Sequence, residues 1–191
     1  FFVPGDKALL VLETDGDNIR FVNIIDHYRI DLELILMAGF ILLLLFYAGW
    51  TGARAMLSFL LTVMLIWKLL IPGLLKGWNP ILLALMVVGF LTIATILLVG
   101  GMNRKSWVAI AGSITGTALT CLLAISFGHL SKIHGAVMPF SESLLYAGYD
   151  YLNLTQIFIA AIFIASSGAL MDLAMDISAA VYEITLQNPN I

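Results

Sequence analysis

Charged residues make up only 11% of this 191-residue chain, while hydrophobic residues make up 61% and mean hydropathy is +1.03. Ordinary soluble domains carry about 25% charged and roughly 45–50% apolar residues, so most of this surface must face lipid. A soluble globular domain, a disordered chain and a collagen-like repeat are all excluded. Nine basic residues against twelve acidic ones leave a formal charge of −3, without any Lys/Arg cluster. Nucleic acid is therefore not a partner. One cysteine, Cys121, sits inside an apolar run, so neither a disulfide framework nor a Cys-based zinc site can be drawn. A nucleotide-binding loop, a Ser/His pair and an HExxH are missing, as is the Gly-x-Gly-Asp of an intramembrane aspartyl protease, whose only echo is Tyr149-Asp150. The chain reads as a non-enzyme with no cofactor. It opens on Phe1-Phe2 and shows no secretion signal before residue 31, which leads us to expect a piece of a longer product.

Residues 1–31 differ from the rest. Pro4-Gly5-Asp6 is a turn signal, Ala8 to Glu13 a short apolar run, and Asp15-Gly16-Asp17-Asn18 a second turn leading into Ile19 to Ile25. This pattern predicts a β-hairpin. Two strands alone are marginal in water, so the hairpin is expected to end a small extracytoplasmic β-domain. The acidic turn lacks the closing Glu of a calcium loop and is read as a plain turn.

From residue 32 onward the pattern is all-α and polytopic, a transmembrane domain over 32–191. A bilayer core ~30 Å thick needs about 20 helical residues, and five uncharged runs approach that length: about 34–50, 53–74, 80–99, 106–128 and 155–186. Asn79-Pro80 is a cap and first-turn pair for the third run, which Gly100-Gly101 ends. Lys68 is placed to snorkel from the second. The four tryptophans, Trp50, Trp67, Trp78 and Trp107, fall near run ends and read as interfacial belt residues. Five crossings put the two chain ends on opposite sides. With Arg54, Arg104 and Lys105 in the short loops, we expect the N-terminus outside a bacterial cytoplasmic membrane.

The 129–154 connector holds His129, Lys132, His134, Glu142 and Asp150, and Pro139-Phe140-Ser141 can start a short interfacial helix over 143–147. The histidines are five apart and no further ligand completes a metal set, so the segment reads as an interfacial loop.

The last run carries the chemistry. On a helix, taking Asp172 as zero, Asp176 falls at about 40° and Glu183 at about 20°, so the three acids share one stripe. Phe158, Ala161, Ala165, Gly168 and Ala169 continue that stripe upstream. Small residues allow a neighbouring helix to approach, so this lane is expected to face the protein interior, with Ile162, Phe163, Leu170 and Val181 on the other side. Three readings of the acids compete. They bind a cation or shuttle a proton, because two carboxylates one turn apart would share a proton or a metal ion. Alternatively, they hydrogen-bond a neighbouring helix and only fix geometry. Or they lie near the far interface, since Asp172 is ~26 Å, Asp176 ~32 Å and Glu183 ~42 Å along a helix entering lipid at Thr155. On the fourth run, Gly112 and Gly116 form a small-xxx-small pair, and Ser113, Thr117 and Thr120 add hydroxyls that serve packing or line a polar path.

The run Gly168-Ala169-Leu170-Met171-Asp172 through Asp176 to Glu183, followed by Asn188-Pro189, resembles the YibE/F family of bacterial multispan membrane proteins. Asp26-His27-Tyr28-Arg29, Lys68 to Pro72 with Lys76 to Pro80, and Phe127-Gly128-His129-Leu130 extend the resemblance over 26–189. It implies a polytopic inner-membrane protein with a small outer domain and further helices after the Asn-Pro segment; it implies no activity. The functional expectation is therefore a cation- or proton-coupled transporter, with Asp172, Asp176 and Glu183 as ion- or proton-binding residues. Gly112, Gly116 and Gly168 are then its packing and hinge positions. The alternative is a non-transporting scaffold whose outer domain binds a protein. The expected partners are the lipid bilayer, a small cation or proton, and additional helices or further copies of the chain.

Overall fold

Long uncharged runs can satisfy their backbone polar groups in lipid only within helices, and helices dominate the chain. The computed structural model describes residues 6–15, 18–139 and 141–187. The chain divides into two units, residues 1–52 and 53–191.

In the first unit, strands β1 (Ala8–Asp15) and β2 (Asn18–His27) pair antiparallel, with register shifts at Leu9/Leu10 and Glu13/Thr14. The acidic turn, read as a plain turn, falls partly on Gly16-Asp17, outside the described residues. Leu10, Leu12, Phe21, Val22 and Ile24 are all exposed on this two-stranded sheet. Tyr28, which follows β2, donates its backbone N–H to the Lys7 carbonyl. Helix α1 (Ile30–Leu65) begins directly after it.

Among the described residues, the expected five spans become four helices long and apolar enough to cross a membrane: Ile30–Leu75, Pro80–Gly100, Arg104–Leu130 and Leu154–Gln187. The first two expected runs are joined. The stretch Gly49-Trp50-Thr51-Gly52-Ala53 holds no proline, and no loop separates the two runs. The path is instead interrupted at one residue, Gly49, with φ 53° and ψ −126°. That conformation suits glycine alone. The 46 residues of Ile30–Leu75 are more than twice the roughly 20 that a bilayer core accommodates.

The second unit takes up the rest of α1, a π-helical turn over Ile66–Leu70, and α2 (Ile71–Leu75). Pro72 lacks the N–H that would meet the Lys68 carbonyl, and Ile71 donates instead to Ile66, five residues back. Helix α3 (Pro80–Gly100) starts as expected, with the Asn79 side chain accepting from the Ile81 and Leu82 amides. It ends at Gly101, whose φ of 74° closes the last turn onto Leu97. Ser58 donates to Thr95 at 2.7 Å, tying α1 to α3. Helix α4 (Arg104–Leu130) follows after the three residues 101–103.

The connector is more structured than a plain loop. It contains a short 3-10 turn (Gly135–Val137) and α5 (Ser141–Tyr146), slightly earlier than expected. Gly135 donates its N–H to the Thr155 hydroxyl at 3.1 Å, and Tyr151 donates its hydroxyl to the Leu75 carbonyl. Helix α6 (Leu154–Gln187) then packs against α3 and α4.

Two apolar clusters hold α3, α4 and α6 together. One joins Leu83, Ala84, Val87, Cys121, Ala160 and the wholly buried Phe163; the other joins Ile96, Ala109 and Ile110, flanked by Met171, Ala174 and Met175. In lipid the attraction is close packing rather than exclusion of water.

Candidate functional site

The packed face of α6 is not the expected one, although Ile162 and Val181 are exposed as expected. Phe163, expected on the outer side, is 0% exposed and lies on the packed face with Ile159, Ala160, Ser167 and Ser178. Ala161, Ala165, Gly168 and Ala169 are exposed, and so are Asp172, Asp176 and Glu183. A Cβ added at Gly168 would meet nothing within 4 Å. The cause is volume: Phe163 fills the space between α3 and α4, which the small-residue lane would leave empty. Gly112 and Gly116 do meet α6, their Cβ positions lying 3.7 Å from Ala174 Cβ and 3.3 Å from Leu170 Cδ2.

Among the three acids the environments differ. Asp176 lines a cavity of about 140 Å³ between the C-terminal end of α3, the first turn of α4 and α6, with Gly100, Lys105, Ser106, Met175 and Ser178 around it. Asp172 and Glu183 lie outside that lining. The two aspartates, one turn apart, therefore do not share one enclosed site.

Ser106 is the telling neighbour. Its side chain is 3% exposed and its Oγ has no hydrogen-bond partner. Ser113 and Thr117, farther along α4, are buried and unpartnered in the same way. Positions 106, 113 and 117 fall within about 40° of one another around the helix, so they form one column that rises ~16 Å into the bundle. Buried hydroxyls without partners cost about 1–3 kcal/mol each, which makes three in a row an unusual expense for a membrane core. By contrast, Ser167 and Ser178 on α6 donate to the carbonyls of Ile164 and Met175. Thr120 donates to the Gly116 carbonyl, so it is satisfied on its own helix. The α4 face continues to the buried Cys121, where the Phe163–Leu83–Val87 cluster closes the column.

Chemically, the cavity offers one carboxylate, two hydroxyls and the carbonyl-bearing end of α3. Oxygen donors of this kind suit a small hard cation or a proton. Lys105 lines the same space, and neither it nor Asp176 makes an ion pair among the described residues.

Sequence reasoning pointed to Ser113 and Thr117 but missed Ser106 and Ser178. The available signal was the i, i+7, i+11 spacing of Ser106, Ser113 and Thr117. Elsewhere, His129, Lys132 and His134 border a cavity of about 330 Å³ with Thr155 and Ile159. No group of three His, Cys, Asp or Glu able to hold a metal occurs among the described residues. All four tryptophans, at 50, 67, 78 and 107, are exposed.

Compared with known proteins, residues 36–191 match the family described as YibE/F-like protein. No curated protein and no solved structure matches the chain.

Proposed function

The chain belongs to the YibE/F-like family, and from the cavity just described we propose that it is a cation- or proton-coupled membrane permease. The observation that supports this reading best is the meeting of Asp176 with the unpartnered Ser106 hydroxyl on one cavity, from which the Ser113 and Thr117 hydroxyls lead inward. Asp176 binds the coupling ion. Lys105 offers the carboxylate an alternative partner once the ion has left, and Asp172 and Glu183 are charges at the approach. The column is sealed on its far side by Phe163 and its neighbours, so movement of α6 against α4 is the step that opens it.

We place the protein in a bacterial cytoplasmic membrane with the β-strands outside and the Arg104–Lys105 end inside, as positive charge in short loops favours. That orientation requires the chain to cross twice between Ile30 and Leu75, with the turn at Gly49. Labelling of a cysteine introduced at Ala53 in a Cys121→Ser background tests it. Reaction from the cytoplasmic face alone is expected, and reaction from outside overturns the orientation.

Uptake into proteoliposomes under an imposed ion gradient tests the coupling. Asp176→Asn is expected to lower ion-dependent flux severely while the protein still assembles. If flux of protons and of sodium is absent in the unaltered protein and Asp176→Asn changes only stability or oligomer state, the second reading replaces the first. That reading, a scaffold whose outer domain binds a protein, is favoured by the exposed apolar side chains of β1 and β2.

A further inference from the structure

The face of α6 that carries no acid borders a second, larger space. Between the N-terminal half of α4 and the C-terminal half of α6 runs an open groove of about 500 Å³. Its walls are apolar, with Val108 on one side and Leu173, Ile177 and Val181 on the other, all exposed. Around α6 these wall positions lie at about 100–180° from Asp172, whereas the acids lie within about 40° of it, so the groove is turned away from every carboxylate of its own helix.

One end differs from the rest. Arg104 and Lys105 stand there with the hydroxyl-bearing Tyr182 and Thr185. Neither cation makes an ion pair among the described residues. The Asn103 side chain bonds back to the Gly100 carbonyl and does not cap α4, so the Arg104 and Lys105 amides that open this 27-residue helix also point to this end. An occupant matched to the whole groove needs a long apolar body and an anionic head.

We infer that the groove binds one anionic phospholipid, an acyl chain lying along Leu173, Ile177 and Val181 and the phosphate against Arg104 and Lys105. A basic end on a helix–helix groove at membrane depth is the arrangement that holds such headgroups. A neutral transmembrane helix fits the walls but offers Arg104 and Lys105 no anion, which is why the lipid is the better occupant.

Native mass spectrometry of the full chain in neutral detergent, titrated with phosphatidylglycerol or phosphatidylcholine, tests this. At about 1 kcal/mol per basic side chain, phosphatidylglycerol is expected to bind about thirtyfold more tightly. Arg104→Gln with Lys105→Gln is expected to remove that preference and leave residual binding of both lipids. Val181→Trp, which fills the groove without touching the charges, is expected to weaken both. Equal binding of the two lipids by the unaltered protein overturns the proposal. So does displacement by inorganic phosphate alone, which marks a free-anion site, and so does efficient cross-linking between copies through Ile177→Cys, which marks a helix as the occupant.

Discussion

Asp172 and Asp176 stand one turn apart on α6, yet only Asp176 shares its cavity with Ser106. The pair is therefore asymmetric. Asp176→Asn should lower ion-dependent flux by about ten- to a hundredfold, the range expected when a charged ligand worth about 1.5–3 kcal/mol is lost. Asp172→Asn should change it by less than about threefold on the same scale. Equal losses for the two variants, measured as initial rates in proteoliposomes, would return the acids to a single shared site.

The α4 hydroxyls make a prediction in which stability and activity move in opposite directions. Thr117→Val and Ser113→Ala each remove a buried polar group that has no partner. Stability in detergent should rise by up to about 1–3 kcal/mol per substitution, while flux falls. Denaturant unfolding and uptake on the same preparations check this. A fall in stability means that the hydroxyls are hydrogen-bonded in the membrane and act as glue.

Gly135 is held for a steric reason. A Cβ there would lie 2.2 Å from the Leu154 carbonyl carbon and 2.4 Å from the Thr155 amide nitrogen, both backbone atoms. Gly135→Ala should cost about 1–3 kcal/mol, since the backbone itself must move and the bond to Thr155 is lost. Limited proteolysis should then cut within 129–154 faster than in the unaltered protein. Unchanged cleavage argues that the connector does not rest on the start of α6.

Three helix glycines should separate by what faces them. Gly168→Ala meets open space and should stabilise α6 by up to about 1 kcal/mol through helix propensity. Gly112→Ala should be close to neutral, its Cβ being in ordinary contact with Ala174, while Gly116→Val should destabilise because Leu170 already stands 3.3 Å from the first added carbon. Thermal unfolding ranks the three. Destabilisation by Gly168→Ala, with loss of a higher oligomer, shows instead that a further helix or another copy covers the small-residue lane.

Much of the fold could be read locally. The turn residues around two apolar runs announced β1 and β2, Asn79-Pro80 and Gly101 bounded α3, and the one-stripe arrangement of Asp172, Asp176 and Glu183 followed from helical periodicity alone. Harder to read was the first long helix, where the two expected runs meet at a break of the single residue Gly49 and not across a loop. The site itself was half legible: Asp176, Ser113 and Thr117 were singled out, but Ser106 was not, since the aspartate with which it shares a cavity lies seventy positions away.

Composition and periodicity, then, determined that this chain lives in a membrane as long helices and that its acids lie along one edge of the last. Packing alone decided which edge of α6 turns inward. A helix apolar on nearly every side has no intrinsic preference in lipid, so the choice went to the bulk of Phe163, which fills the gap between α3 and α4. That same rotation set Asp176 at the rim of a cavity and left the small-residue lane uncovered among the described residues.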